Sequence, residues 1–251
     1  MTTTFKRAKL VKIFDDTNRE FVKYVGVVNE AISSEEFNVV SPGYQVIQHE
    51  EVDTTIKEVI ETLGLKSDYQ VYQLNEGARI LVELVFPSYQ FQVKNITVTL
   101  GVRFENSYNS TRGVSMEIFA VHQIGNKWYR FLEYYGGYSH KHTKGLNKDK
   151  LQKALINGLE KINKEFNEKF QTMVQKPFTV GIAKDTVNNW IDKKVISQKY
   201  LESMHNNTNP INDLWDFYTM VTEVINTEVE SMDQKTSFSE KLSGEFDKLI
   251  K

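Results

Sequence analysis

Ile96-Thr97-Val98-Thr99-Leu100-Gly101-Val102-Arg103-Phe104 carries an apolar side chain at every second position. Successive side chains of a strand point to opposite faces of a sheet, so Ile96, Val98, Leu100, Val102 and Phe104 share one face. That alternation predicts a β-strand with one covered side. After the polar segment 105–112, Val114, Met116, Ile118 and Ala120 repeat the rhythm, and residues 128–135 supply a further strand. Upstream, residues 77–86 read as a continuous apolar strand ended by Pro87, with Phe91 and Val93 opening the next. Consecutive strands joined by short polar links form an antiparallel sheet with one buried face.

Outward from this sheet, residues 10–14 and 21–28 are apolar runs separated by Asp15-Asp16-Thr17-Asn18, which predicts a hairpin. Val52, Ile56, Val59, Ile60 and Leu63 recur at helical spacing, and Gly64 is placed to end that helix. Asn147 can cap a long helix whose stripe is Leu151, Leu155, Leu159, Ile162, Phe166, Phe170 and Met173. Beyond Pro177 and Gly181 the periodicity is helical throughout, over 185–204, 213–229 and 238–250. The expected fold class is α+β: a curved antiparallel sheet crossed by a long helix in a β-rich body of residues 1–180, then a helical C-terminal region of residues 181–251.

Composition narrows the chemistry. The 251 residues are 40% hydrophobic and 25% charged, as in ordinary globular proteins. With no cysteine, disulfides, thiol nucleophiles and cysteine-ligated metals are excluded. The start of the chain lacks the uninterrupted apolar stretch of a secretion signal, and no run reaches the roughly 18–20 apolar residues of a membrane span. A cytoplasmic location without membrane contact is the expectation. The net charge of −2 hides a basic block: residues 124–176 hold eleven basic and five acidic residues, a local +6. Residues 26–123 hold six basic and thirteen acidic residues, a local −7. One cationic surface on a near-neutral chain suits a polyanionic partner.

Candidate contact residues fall in and beside that block. Lys141, Lys144, His140 and His142 follow Gly136-Gly137, an arrangement that lets cations and backbone approach a phosphate. The two histidines are spaced to ligate a metal, but completing ligands would have to come from His122, His49 or Glu133, so no metal or other cofactor is expected. Asn106, Ser107 and Arg112 offer donors between two strands. In Trp128-Tyr129-Arg130-Phe131-Leu132-Glu133-Tyr134-Tyr135 two sets of rings face opposite sides. The set of Tyr129, Phe131 and one of the later tyrosines is expected to stay exposed beside Lys127 and Arg130 and to stack on unpaired bases. Full nucleotide-binding glycine loops are missing, which argues against ATP hydrolysis.

Three stretches also carry a resemblance: Val-Ser-Pro-Gly-Tyr-Gln-Val-Ile-Gln-His-Glu-Glu at 40–51, the segment from Asn106-Ser107-Tyr108-Asn109 to His140-Lys141-His142-Thr143, and Leu-Trp-Asp-Phe-Tyr-Thr-Met-Val-Thr-Glu at 214–223. In this order and spacing, over about residues 39–249, they resemble the phage/plasmid-like proteins of unassigned function carried by mobile genetic elements. The resemblance implies that Asn106 and Ser107 form the family's Asn-Ser hairpin loop. Asn109 and Ser110 stand where the family often has an acid and a glycine, which weakens an acid-catalysed role. A more distant analogy, at the level of fold class, is to phage single-strand annealing proteins. The expected function is therefore non-enzymatic binding and annealing of single-stranded DNA by a homo-oligomer. Trp190, Trp215, Phe217 and Phe246 of the helical region are expected to supply its subunit contacts. The alternative is a virus or plasmid interaction protein that modulates a host nuclease or replication factor. A metal-dependent nuclease or nucleotide-processing enzyme using His140 and His142 ranks third.

Overall fold

The computed structural model of the chain describes residues 4–14, 19–109, 113–124, 127–142, 146–206 and 210–251. The architecture is α+β, with two open antiparallel sheets, a long helix and a helical C-terminal region. Strands β1 (Ala8–Phe14), β2 (Glu20–Asn29) and β3 (Glu36–Val40) form a three-stranded sheet in the order β1-β2-β3. The expected hairpin is thus present, and its turn at 15–18 lies outside the described residues. Helix α1 (His49–Thr62) follows, ending two residues before Gly64, whose φ of +62° suits a residue without a Cβ.

The second sheet runs β4 (Asp68–Leu74), β5 (Arg79–Val93), β6 (Ile96–Ser107), β7 (Val114–Ile124), β8 (Lys127–His140), each strand beside the next in sequence. Strand β3 escaped the sequence reading because it is only five residues long, and β4 because polar residues interrupt its apolar ones. Pro87 does not end a strand as expected: β5 runs through it. The register explains this, since β4 pairs with β5 only as far as Val85. Beyond that point no β4 residue needs the N–H that proline lacks, and Pro87 is exposed. The alternation of β6 is correct, yet its polar face is also buried. Arg103 bonds Glu83 through Nε at 2.7 Å and Nη2 at 2.6 Å, and Arg79 meets Glu105 at 2.6 Å, so cross-strand ion pairs cover that side.

Helix α2 (Lys148–Gln175) buries the whole predicted stripe from Leu151 to Met173. Then come α3 (Val180–Asp192), α4 (Leu201–His205), α5 (Leu214–Glu228) and α6 (Met232–Ile250). The helix expected over 185–204 is broken, with Lys194 at φ +57° closing α3 through bonds back to Ile191 and Trp190 by way of its own and Val195's N–H.

Two compact units emerge, and their division passes through β5, β6, β7, β8 and α2 rather than falling near residue 180. Unit 1 comprises residues 1–88, 101–118 and 136–158; unit 2 comprises 89–100, 119–135 and 159–251. In unit 1, Ala8, Val27, Val40 and Tyr108 form a core under the small sheet, and α1 buries Val52, Ile56, Val59 and Ile60. Gly158 lets α2 approach the sheet, because a Cβ there would lie 2.5 Å from Ile118 Cδ1. In unit 2, Phe170 packs on Phe131, Trp215 and Tyr218 with centroids at 5.4, 4.9 and 5.4 Å. Trp190 and Phe217 stack at 5.5 Å, with Phe246 against both. Trp190, Trp215, Phe217 and Phe246 are buried inside the chain. The apolar surface that motivated subunit contacts through the helical tail is therefore consumed internally.

Candidate nucleic-acid interface

Asn106 continues the even-numbered series of β6 that includes Val102 and Phe104, and so points to the covered face. Its side-chain N–H groups donate to the Ile47 carbonyl and to His49 Nδ1, both at 2.9 Å. His49 Nε2 stands 3.1 Å from the Gly77 carbonyl, which can only accept, so Nε2 carries the proton and Nδ1 is the acceptor. The His49 backbone N–H donates to the Tyr108 hydroxyl, and that hydroxyl donates to the Lys6 carbonyl, each at 2.9 Å. Burial holds the His49 imidazole down at about 4. Asn106 and Ser107 are fully buried. Asn106 thereby fastens β6 to the start of α1, and the pair lies in the interior of unit 1 instead of on the surface where the sequence reading put it.

The turn after β8 separates its two histidines. His140 is half-buried, Lys141 is exposed and His142 is buried. The His142 ring stacks on Tyr44 at 4.9 Å, and its carbonyl accepts the Gln45 N–H at 2.7 Å. Among the described residues neither ring nitrogen has a hydrogen-bonding partner. Burial and the neighbouring His140 push its titration down to about 4. The ring is neutral near pH 7 and adds no charge to the surface. Arg112 and Lys144 lie outside the described residues, as does the side chain of Lys127.

Helix α2 starts just beyond this turn, in the same unit. Asn147 Oδ1 accepts the Lys150 N–H at 2.8 Å, the predicted cap. The first two turns carry Lys148, Lys150 and Lys153. A helix N-terminus bears partial positive charge, so cations there are electrostatically disfavoured and anions favoured. Lys148 is matched by Glu58 at 2.9 Å. Lys150 and Lys153 are exposed and make no ion pair among the described residues. Farther along, the lysines are neutralised within the chain: Lys161 faces Glu165 at 3.7 Å, Lys164 faces Glu168 at 3.8 Å, and Lys169 bridges Glu133 at 2.7 Å and Asp247 at 2.6 Å. The basic block of the sequence thus divides: Lys148, Lys161, Lys164 and Lys169 are matched by carboxylates, Lys176 donates to the Ile250 carbonyl at 3.2 Å, and Lys141, Lys150 and Lys153 make no ion pair among the described residues.

Tyr129 and Arg130 belong to unit 2. Tyr129 is half-buried and tilts against His122 at 5.5 Å, while Phe131 is fully buried among Phe170, Trp215 and Tyr218. The expected exposed platform of Tyr129 with Phe131 is therefore a packed face, because α2 and α5 cover Phe131. The Arg130 guanidinium lies 3.9 Å above the Phe119 ring.

No family model, curated protein or solved structure matches the chain. Among the described residues no three His, Asp or Glu side chains gather to hold a metal ion, and no helix is long and apolar enough to cross a membrane.

Proposed function

We propose that the protein binds single-stranded nucleic acid without catalysing its cleavage, as the strand-annealing component of a mobile genetic element. Phosphates are held at the end of β8 and the start of α2 by Lys141, Lys150 and Lys153, with His140 beside them. One observation carries this reading: among the described residues Lys150 and Lys153 have no ion-pair partner, and they stand toward the helix pole where cations are least favoured, an arrangement that a bound polyanion turns from unfavourable to favourable. Bases need not be read for such contacts, which leaves them available for pairing.

The test compares two halves of one helix. Lys150→Ala with Lys153→Ala is expected to weaken binding of a labelled single strand at least tenfold in fluorescence anisotropy. Lys161→Ala with Lys164→Ala removes the same formal charge but is expected to change affinity less than threefold. Equal losses in both variants would reduce the reading to nonspecific charge, and no loss in the first would reject it. Annealing of complementary strands without ATP is expected to fall in parallel with binding.

A further inference from the structure

Five of the eight large apolar side chains that stand exposed among the described residues belong to the first sheet and its loop: Leu10, Phe14, Tyr24, Ile32 and Val39. Strand β1 is an edge of that sheet. Its backbone is directed by the register with β2. The Ala8 N–H donates to Gln48 Oε1 at 3.1 Å and its carbonyl accepts from Gln48 Nε2 at 2.7 Å, so the peptide groups of Ala8 point away from β2. Alternation then turns those of Lys9 and Val11 toward Val28 and Gly26, and those of Leu10 and Lys12 to the open edge. Gln48 acts as a one-residue mock strand that stops at Ala8. Beyond it no strand among the described residues pairs with the outer side of β1.

We propose that this edge pairs antiparallel with β1 of a second copy of the chain, about a two-fold axis at Val11. The strand's own sequence selects that register. Centred on Lys12, the pairing would set two lysines directly opposite, which is unfavourable. Centred on Leu10, it would need the Ala8 groups that Gln48 already occupies. Centred on Val11, Leu10 meets Lys12 of the other copy twice, and both residues aim their N–H and C=O outward. Val11 then faces Val11, and Lys9 faces Ile13. Lysine on an edge strand ordinarily deters pairing, but Lys12 is drawn back onto its own sheet by Glu20 at 2.8 Å. This interface does not depend on the nucleic-acid reading, and it differs from the helical one inferred from sequence.

Sedimentation of the full chain over a concentration series is expected to show a species of twice 29.2 kDa. Leu10→Lys places like charges opposite each other across both symmetric pairs and is expected to raise the dimer dissociation constant at least tenfold. Leu10→Glu places opposite charges there and is expected to lower it. Leu10 is exposed, so both variants fold. The chain has no cysteine, which makes a geometric check available. Val11→Cys brings two Cα atoms to about 4.5 Å in a non-hydrogen-bonded pair, within the roughly 4.4–6.8 Å a disulfide spans. Mild oxidation is expected to cross-link that variant rapidly and Lys9→Cys hardly at all. A monomer at every concentration, the same response to Leu10→Lys and Leu10→Glu, or equal cross-linking of the two cysteine variants would overturn the proposal.

Discussion

His49 and His142 are neutral at pH 7 because the fold withholds them from water, and their titration near 4 is lowered from the ordinary 6.5. Between those values the unfolded chain binds more protons than the folded one, so stability falls as pH drops from about 6.5 toward 4 and this contribution levels off below that. Urea midpoints measured at pH 7, 6 and 5 are expected to decline, and His142→Phe, which keeps a ring against Tyr44 but cannot titrate, is expected to show a shallower decline. An identical pH profile in the variant would mean that His142 does not contribute. Asn106 gives a complementary test. Asn106→Ala removes the donor to both His49 Nδ1 and the Ile47 carbonyl, and is expected to cost about 1–3 kcal/mol of stability with unchanged affinity for single strands. A loss of affinity without a loss of stability would return Asn106 to the surface role that its sequence position suggested. Sequence places Asn106 in a polar loop; only the strand's continuation to Ser107 shows that its side chain faces α1.

Both sheets meet the problem of an unpaired edge with a side-chain amide. Gln48 occupies the N–H and C=O of Ala8 on β1. On β8, Asn226 of α5 does the same for Arg130: its Oδ1 accepts the Arg130 N–H at 3.1 Å and its Nδ2 donates to the carbonyl at 2.7 Å. The Tyr218 hydroxyl takes the Leu132 N–H at 3.0 Å. Asn226→Ala leaves the Arg130 groups without these partners and is expected to lower stability by about 1–2 kcal/mol, read as a reduced urea midpoint and faster amide exchange at Arg130. Exchange unchanged at that amide would show that the edge is protected by other means. Such devices are invisible in sequence because they join residues 40 and 96 positions apart. The α2 stripe, by contrast, was fully legible, since its seven apolar positions needed only a period. The division of its lysines into paired and unpaired sets was not, because Glu133 and Asp247 reach Lys169 through tertiary packing.

At the scale of the whole molecule, alternation in β6 and β7, the capped stripe of α2 and the helical periodicity after residue 181 were enough to read an α+β fold with a long helix and a helical C-terminal region. The existence of two sheets was hidden in β3, only five residues long, and in β4, whose apolar residues are interrupted by polar ones. The cationic site was half legible: the +6 block was visible, but of the residues placed in or beside it Asn106, Ser107 and His142 are buried and Tyr129 is half-buried against His122. What remains is a short set of lysines in one unit, and counterion release tests it most directly. Affinity for a single-stranded oligonucleotide should be measured between 50 and 400 mM salt in steps, on the order of the range over which such contacts weaken strongly. Each phosphate contact contributes about 0.7 to the slope of log affinity against log salt on single strands. Lys141→Ala, Lys150→Ala and Lys153→Ala combined are expected to flatten that slope by about 2 without lowering the urea midpoint. A wild-type chain that fails to bind, or a triple variant with the wild-type slope and affinity, would contradict the proposed function.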